Sequence, residues 1–135
     1  NLKITGTVTL PCQISVSNRL YFNSVSSNLT LNSSSTGYYY NANNTAVYRL
    51  LYNGSLDVFT IYFYENAKPN PGNVYNVGAS NQVGYTDEVE IYFGTTRLNQ
   101  GGKLYCFLEN GKTYVQLCNL KDLNANNYSA KILIP

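Results

Sequence analysis

The 135-residue chain predicts an all-β domain, a sandwich or a barrel. Three observations carry this. Short stretches alternate apolar and polar residues with period two. Asn-Gly pairs and Pro/Gly clusters separate them. No stretch keeps a 3.6-residue period over three turns.

The opening stretch NLKITGTVTLP alternates most cleanly. Leu2, Ile4, Gly6, Val8 and Leu10 share one face, and Asn1, Lys3, Thr5, Thr7 and Thr9 the other. Residues 1–10 would reach roughly 33 Å as one strand. Gly6 interrupts the apolar row, as a glycine does where another backbone or side chain comes close. Pro11 removes a donor and ends any ladder. CQISVS (12–17) predicts a strand with Cys12, Ile14 and Val16 on one face. RLYFN (19–23) pairs Leu20 with Phe22, and NLTLN (28–32) pairs Leu29 with Leu31. The polar stretch around residues 24–45 predicts exposed edge strands and loops.

AVYRLLY (46–52) and LDVFTIYFYE (56–65) flank Asn53-Gly54, which predicts a hairpin turn. The second run is apolar on both faces and predicts a central strand. KPNPGN (68–73) predicts a loop. DEVEIYF (87–93) sets Val89, Ile91 and Phe93 against Glu88, Glu90 and Tyr92. KLYCFLE (103–109) and KTYVQLC (112–118) flank Asn110-Gly111, the clearest hairpin, and YSAKILI (128–134) predicts the last strand. These strands form one domain, long enough to bury its own core.

Composition narrows the function. There is no His, Met or Trp, so the usual proton shuttle near neutral pH and the commonest zinc ligand are missing. A net charge of +2, thinly spread, leaves no footprint for nucleic acid or an anionic membrane. No run approaches a membrane span, and the first residues lack the pattern of a signal peptide. Resident cofactors and metals are not expected. Seven carboxylates are few, so little stability should depend on their ionisation in acid. The Asn-Gly pairs at 53 and 110 are not what heat adaptation favours.

Three cysteines suggest one disulfide and one spare. A two-residue turn at 110–111 pairs Glu109 with Lys112, Cys106 with Val115 and Lys103 with Cys118. Cys106 and Cys118 then face opposite ways, roughly 10 Å apart along the strands, too far to bridge. Cys12 is therefore one partner, with Cys106 or Cys118 as the other. Such a bridge places the protein outside the cytosol.

Asn28, Asn32, Asn43, Asn53 and Asn127 each open an N-x-S/T sequon at a position that can face water, so N-linked glycans are expected partners. Asp87, Glu88 and Glu90 could be catalytic carboxylates or calcium ligands, but a solvated strand face has the same pattern. The 14 tyrosines could stack on sugar rings, which gives a second reading: a monomeric, secreted, carbohydrate-binding β-sandwich.

The alternating N-terminal strand, the all-β body, sequons such as NLT, NNT and NGS, and the Asn/Ser/Tyr-rich, His-free composition resemble the subunits of archaeal threads, surface filaments of Sulfolobales. The chain lacks the long apolar N-terminal helix of type IV pilins. The resemblance implies an Ig-like or pilin-like β-sandwich head over 12–135 and an N-terminal donor strand over 1–11. It also implies glycosylated identical subunits joined head to tail, as in bacterial chaperone-usher pili. Leu2, Ile4, Gly6, Val8 and Leu10 would then enter the neighbour's groove. The expected function is a structural subunit of an extracellular cell-surface filament for adhesion or cell-cell contact, not an enzyme.

Overall fold

The structure is a computed structural model that describes residues 8–40, 46–64, 67–78 and 87–135. Its strands are β1 (Arg19–Phe22), β2 (Val25–Leu31), β3 (Gly37–Tyr40), β4 (Ala46–Gly54), β5 (Val58–Phe63) and β6 (Val74–Val77). They continue with β7 (Glu88–Phe93), β8 (Thr96–Arg97), β9 (Lys103–Glu109), β10 (Lys112–Lys121) and β11 (Asn127–Leu133). A single 3-10 turn, Ser33–Ser35, interrupts them, and the described residues contain no α-helix. The all-β expectation holds.

The strands form one sheet that closes on itself. Its order is β2-β1-β11-β10-β9-β6-β7-β5-β4, and β4 returns to β2 through Leu29–Gly54, Thr30–Asn53 and Leu31–Tyr52. The result is barrel-like. Strand β3 shares with β2 one edge of β4, and β8 pairs the end of β7. Every joint is antiparallel except β6–β7.

Closure puts one face of each strand in the ring into a common core. Phe59, Ile61 and Phe63 of β5 lie inside, beside Leu50 and Tyr52 of β4 and Val89 and Ile91 of β7. Leu104 and Cys106, Val115 and Leu117, and Tyr128, Ala130 and Ile132 complete the wall. Period-two alternation produces this because successive side chains of a strand leave opposite faces. The Tyr52 hydroxyl donates to the Leu133 carbonyl at 2.9 Å, tying β4 to β11 across the interior.

The Asn110-Gly111 hairpin has the expected register. Glu109 pairs with Lys112 and Cys106 with Val115, and both turn residues have positive φ (53° and 77°). That is the twist a two-residue hairpin needs.

Two expectations fail. Residues 12–17 are not a strand; the chain is irregular until Arg19. Nor is Asn53-Gly54 the turn between β4 and β5. Asn53 pairs with Val58 and the Gly54 N–H donates to the Asp57 carbonyl at 3.1 Å, so the turn falls at Ser55-Leu56. Strand β2 takes Gly54 into its own ladder opposite Leu29, which overrides the local turn preference. A Cβ at Gly54 would sit 2.7 Å from the Asp57 carbonyl oxygen, so the close approach itself needs glycine.

The loop between β10 and β11 is organised by Asp122, which is buried. Its carboxylate accepts the backbone N–H groups of Asn124 and Asn126 at 2.8 and 3.1 Å. It also accepts the Asn126 amide at 3.1 Å and the Tyr128 hydroxyl at 2.7 Å. Burial pushes its pKa up, but the bonds from Tyr128, Asn126 and Asn124 outweigh this and leave it below the usual value. A depressed carboxyl stabilises the fold above its unfolded pKa of about 3.9, and that contribution disappears as pH falls through the folded value. Denaturant titrations should therefore show stability declining below about pH 4. Asp122→Asn should be less stable at neutral pH and flatter through the acid range. Parallel pH profiles for the two proteins would refute this.

Candidate functional site: an N-terminal arm pinned to the barrel wall

The ring closes without any residue before Arg19. Residues 8–18, which precede β1, form an arm lying outside the sheet. Burial alternates along it: Val8, Leu10, Cys12 and Ile14 are half-buried, while Thr9, Pro11, Gln13 and Ser15 are exposed. The apolar row thus faces the protein although no ladder holds it. Leu2, Ile4 and Gly6, the rest of the expected donor face, lie outside the described residues.

Two anchors hold the arm. Asn18 forms the corner into β1 at φ 57°. Its N–H donates to the Lys131 carbonyl at 2.7 Å, its carbonyl accepts from Leu29 N–H at 2.8 Å, and its Oδ1 accepts from Leu133 N–H at 3.0 Å. The second anchor is covalent: Cys12 is bridged to Cys118, with Cα atoms 5.9 Å apart. Cys118 leaves the outer face of β10, whereas Cys106 leaves the inner face of β9 and is buried in the core. The hairpin register decided between the two candidates as far as Cys106 and Cys118 facing apart. Only the arm's path over the outside selects Cys118.

Beside the bridge, Gln116 points outward yet is only 1% exposed. Its Nε2 donates to the Cys12 carbonyl at 2.9 Å, which satisfies a backbone acceptor that no strand partner takes. Lys131 also points outward and is buried. Its Nζ sits 2.6 Å from a Glu109 oxygen and 4.7 Å from the centre of the Tyr114 ring. This cation is fully partnered, as burial requires.

The acidic strand does something different from what its pattern suggested. Glu90 is buried on the outer face of β7. Oε1 accepts the Tyr64 hydroxyl, and Oε2 accepts the Tyr92 hydroxyl at 3.1 Å and Arg97 at 3.3 Å. Burial first, then the Glu90 charge, pushes the Tyr92 hydroxyl pKa up, so it stays a donor. A carboxylate with both oxygens engaged by three donors braces the wall. Glu88 is half-buried and Asp87 exposed. Among the described residues, no group of three or more His, Cys, Asp or Glu is arranged to hold a metal ion.

Of the tyrosines at 38–40, Tyr38 is 57% exposed and its ring lies 5.0 Å from that of Tyr48. That is one exposed ring on a buried one. No helix among the described residues is long and apolar enough to cross a membrane.

Known proteins add no further constraint. No family model, curated protein or solved structure matches the chain. The case for function therefore rests on the arm, its bridge and the surface around it.

The sequons divide by environment. Asn28 on β2 and Asn53 on β4 are exposed. Asn32 is half-buried, and its Oδ1 accepts from the Ser34 hydroxyl at 2.8 Å and the Ser35 N–H at 3.2 Å. Asn127 is half-buried. Its Nδ2 donates to Asn119 Oδ1 at 3.0 Å and its Oδ1 accepts from Lys121 at 2.7 Å. Asn43 lies outside the described residues.

Proposed function

We propose that the chain is a structural subunit of an extracellular, glycosylated, pilus-like filament of the archaeal-thread type. Subunits join head to tail, residues 1–11 of one serving as donor strand to the next, and the filament serves adhesion or cell-cell contact. In this reading the closed sheet takes the part of the pilin-like sandwich head, with opposite walls packed across one core.

The observation that carries the proposal is the arm. Val8, Leu10 and Ile14 lie outside a ring that is complete without them, and the Cys12–Cys118 bridge fixes everything from residue 12 onward. The eleven residues before the bridge span at most about 36–40 Å when extended, enough to reach a neighbour. Burying four large apolar side chains at about 1.5–3 kcal/mol each, with a backbone ladder, makes such a joint slow to dissociate. Because the contact is head-to-tail it does not close, and it grows a filament.

A closed ring must admit the incoming strand somewhere. Within the ring the least-held strand is β6, with two paired residues on β7 and three on β9. Displacing it would open a slot between β7 and β9 and would withdraw Tyr75 and Val77 from the core.

Light scattering and negative-stain microscopy test this on the full chain and on a version starting at Pro11, with and without peptide 1–10. The full chain should form filaments. The shortened chain should stay small, bind the peptide and gain stability from it. A compact full-length monomer, with a shortened form that unfolds, would assign the arm to its own barrel and overturn the proposal.

A further inference from the structure

We propose that Asn28 and Asn53 carry N-glycans side by side over the β2–β4 seam, and that Asn127 carries none, so that the groove crossed by the arm stays free of sugar. This rests on the reading of the chain as an extracellular glycoprotein and goes beyond it by choosing the sites.

The two sequons interlock. Thr30, the hydroxyl residue of the Asn28 sequon, is the direct cross-strand partner of Asn53. Asn28, Thr30 and Asn53 all leave the outer face, opposite to the inward Leu29 and Tyr52. Asn28 and Asn53 are therefore diagonal neighbours across the seam, with Cβ atoms on the order of 6–8 Å apart.

Their carboxamides are available. Asn28 uses only its Oδ1, which accepts from Arg19 at 2.5 Å, and among the described residues nothing accepts from its Nδ2. The Asn53 carboxamide is exposed and has no hydrogen-bond partner among the described residues. N-glycosylation forms a bond between Nδ2 and C1 of a sugar. It breaks the bond from C1 to the phosphate oxygen of a lipid-linked oligosaccharide and releases an Nδ2 proton. A carboxamide with its nitrogen in water suits that step. The Asn127 nitrogen is committed to Asn119, and its side chain lies in a groove of about 320 Å³ beside the arm residues Cys12 and Ile14. A sugar there would have to share the space the arm crosses.

The seam joins β2 to β4 through only three residue pairs, and two glycans would shield it from protease. The groove lined by Cys12, Ile14 and Asn127 would stay free of sugar where the arm crosses β10 and β11.

Intact-glycopeptide mass spectrometry of the full chain, purified from the medium or surface of producing cells, tests the assignment. Peptides containing Asn28 and Asn53 should be modified in most copies and the Asn127 peptide unmodified. Asn28→Gln and Asn53→Gln should each remove one glycan mass and together speed cleavage near residues 53–57 several-fold. Sugar at Asn127, or bare Asn28 and Asn53 beside sugar elsewhere, overturns the site choice while the glycoprotein reading stands. A chain with no sugar anywhere overturns both, and the filament test above is independent of either.

Discussion

Replacing Cys12 and Cys118 together by serine should lower the free energy of unfolding by about 4–5 kcal/mol and leave the β-sheet circular dichroism of the native protein intact. The two cysteines are separated by 106 positions, so the bridge closes most of the chain into one loop. Removing a cross-link of that length frees the unfolded ensemble far more than the folded one. The folded ring does not depend on the bridge, because its closure runs through β2–β4 and β1–β11. The melting temperature should fall on the order of 15 °C. The arm should become the first site of proteolysis, since only the Asn18 corner and the Gln116 bond to the Cys12 carbonyl would still tie it. Loss of the sheet signal would mean that the bridge organises the ring. An unchanged melting temperature would mean that the arm constrains the unfolded chain less than its loop length predicts.

Tyr52→Ala should destabilise the barrel by about 3–5 kcal/mol, the range for deleting a buried aromatic ring. Tyr52 is 1% exposed and stands between Phe59 across the β4–β5 ladder and the Leu133 carbonyl on the far wall. The alanine leaves a cavity, an unpaired carbonyl and a broken link between walls. Tyr52→Phe separates these effects, because it keeps the ring and removes only the hydroxyl. It should cost about 1–2 kcal/mol, the penalty of one buried acceptor left without a donor. Equal losses for the two variants, read from denaturant midpoints at constant slope, would show that the hydrogen bond and not the ring holds the walls together.

Much of this barrel is legible in the sequence where local rules and tertiary structure agree. The 103–118 hairpin is the plainest case: a turn pair suited to positive φ sits between two alternating runs, and no other strand competes for the turn. At Asn53-Gly54 the same dipeptide misleads, because β2 claims Gly54 from outside and pushes the turn two residues on. Residues 12–17 show what alternation means. It reports one covered face and not a ladder: Cys12 and Ile14 are half-buried against the barrel, while Val16 at the end of the run is exposed. Glu90 and Gln116 are harder still. Their outward register reads as solvated, but Glu90 is covered by Tyr64, 26 positions away, together with its strand neighbour Tyr92, and Gln116 by the arm, 104 positions away. The ring closure is not legible at all, since a three-pair seam between β2 and β4 leaves no pattern distinct from that of two edge strands.

The pairing of β1 with β11 bears on how the protein is made. Residues 19–22 must wait for residues 128–131 before they gain their second neighbour. Contacts this distant in sequence fold slowly, because a long loop has to close before anything rewards it. A chain emerging from a ribosome or crossing a membrane therefore stays open until its last strand arrives. During that interval β1 and β10 expose unpaired edges to other copies. The ring can shut only after residue 133 has emerged.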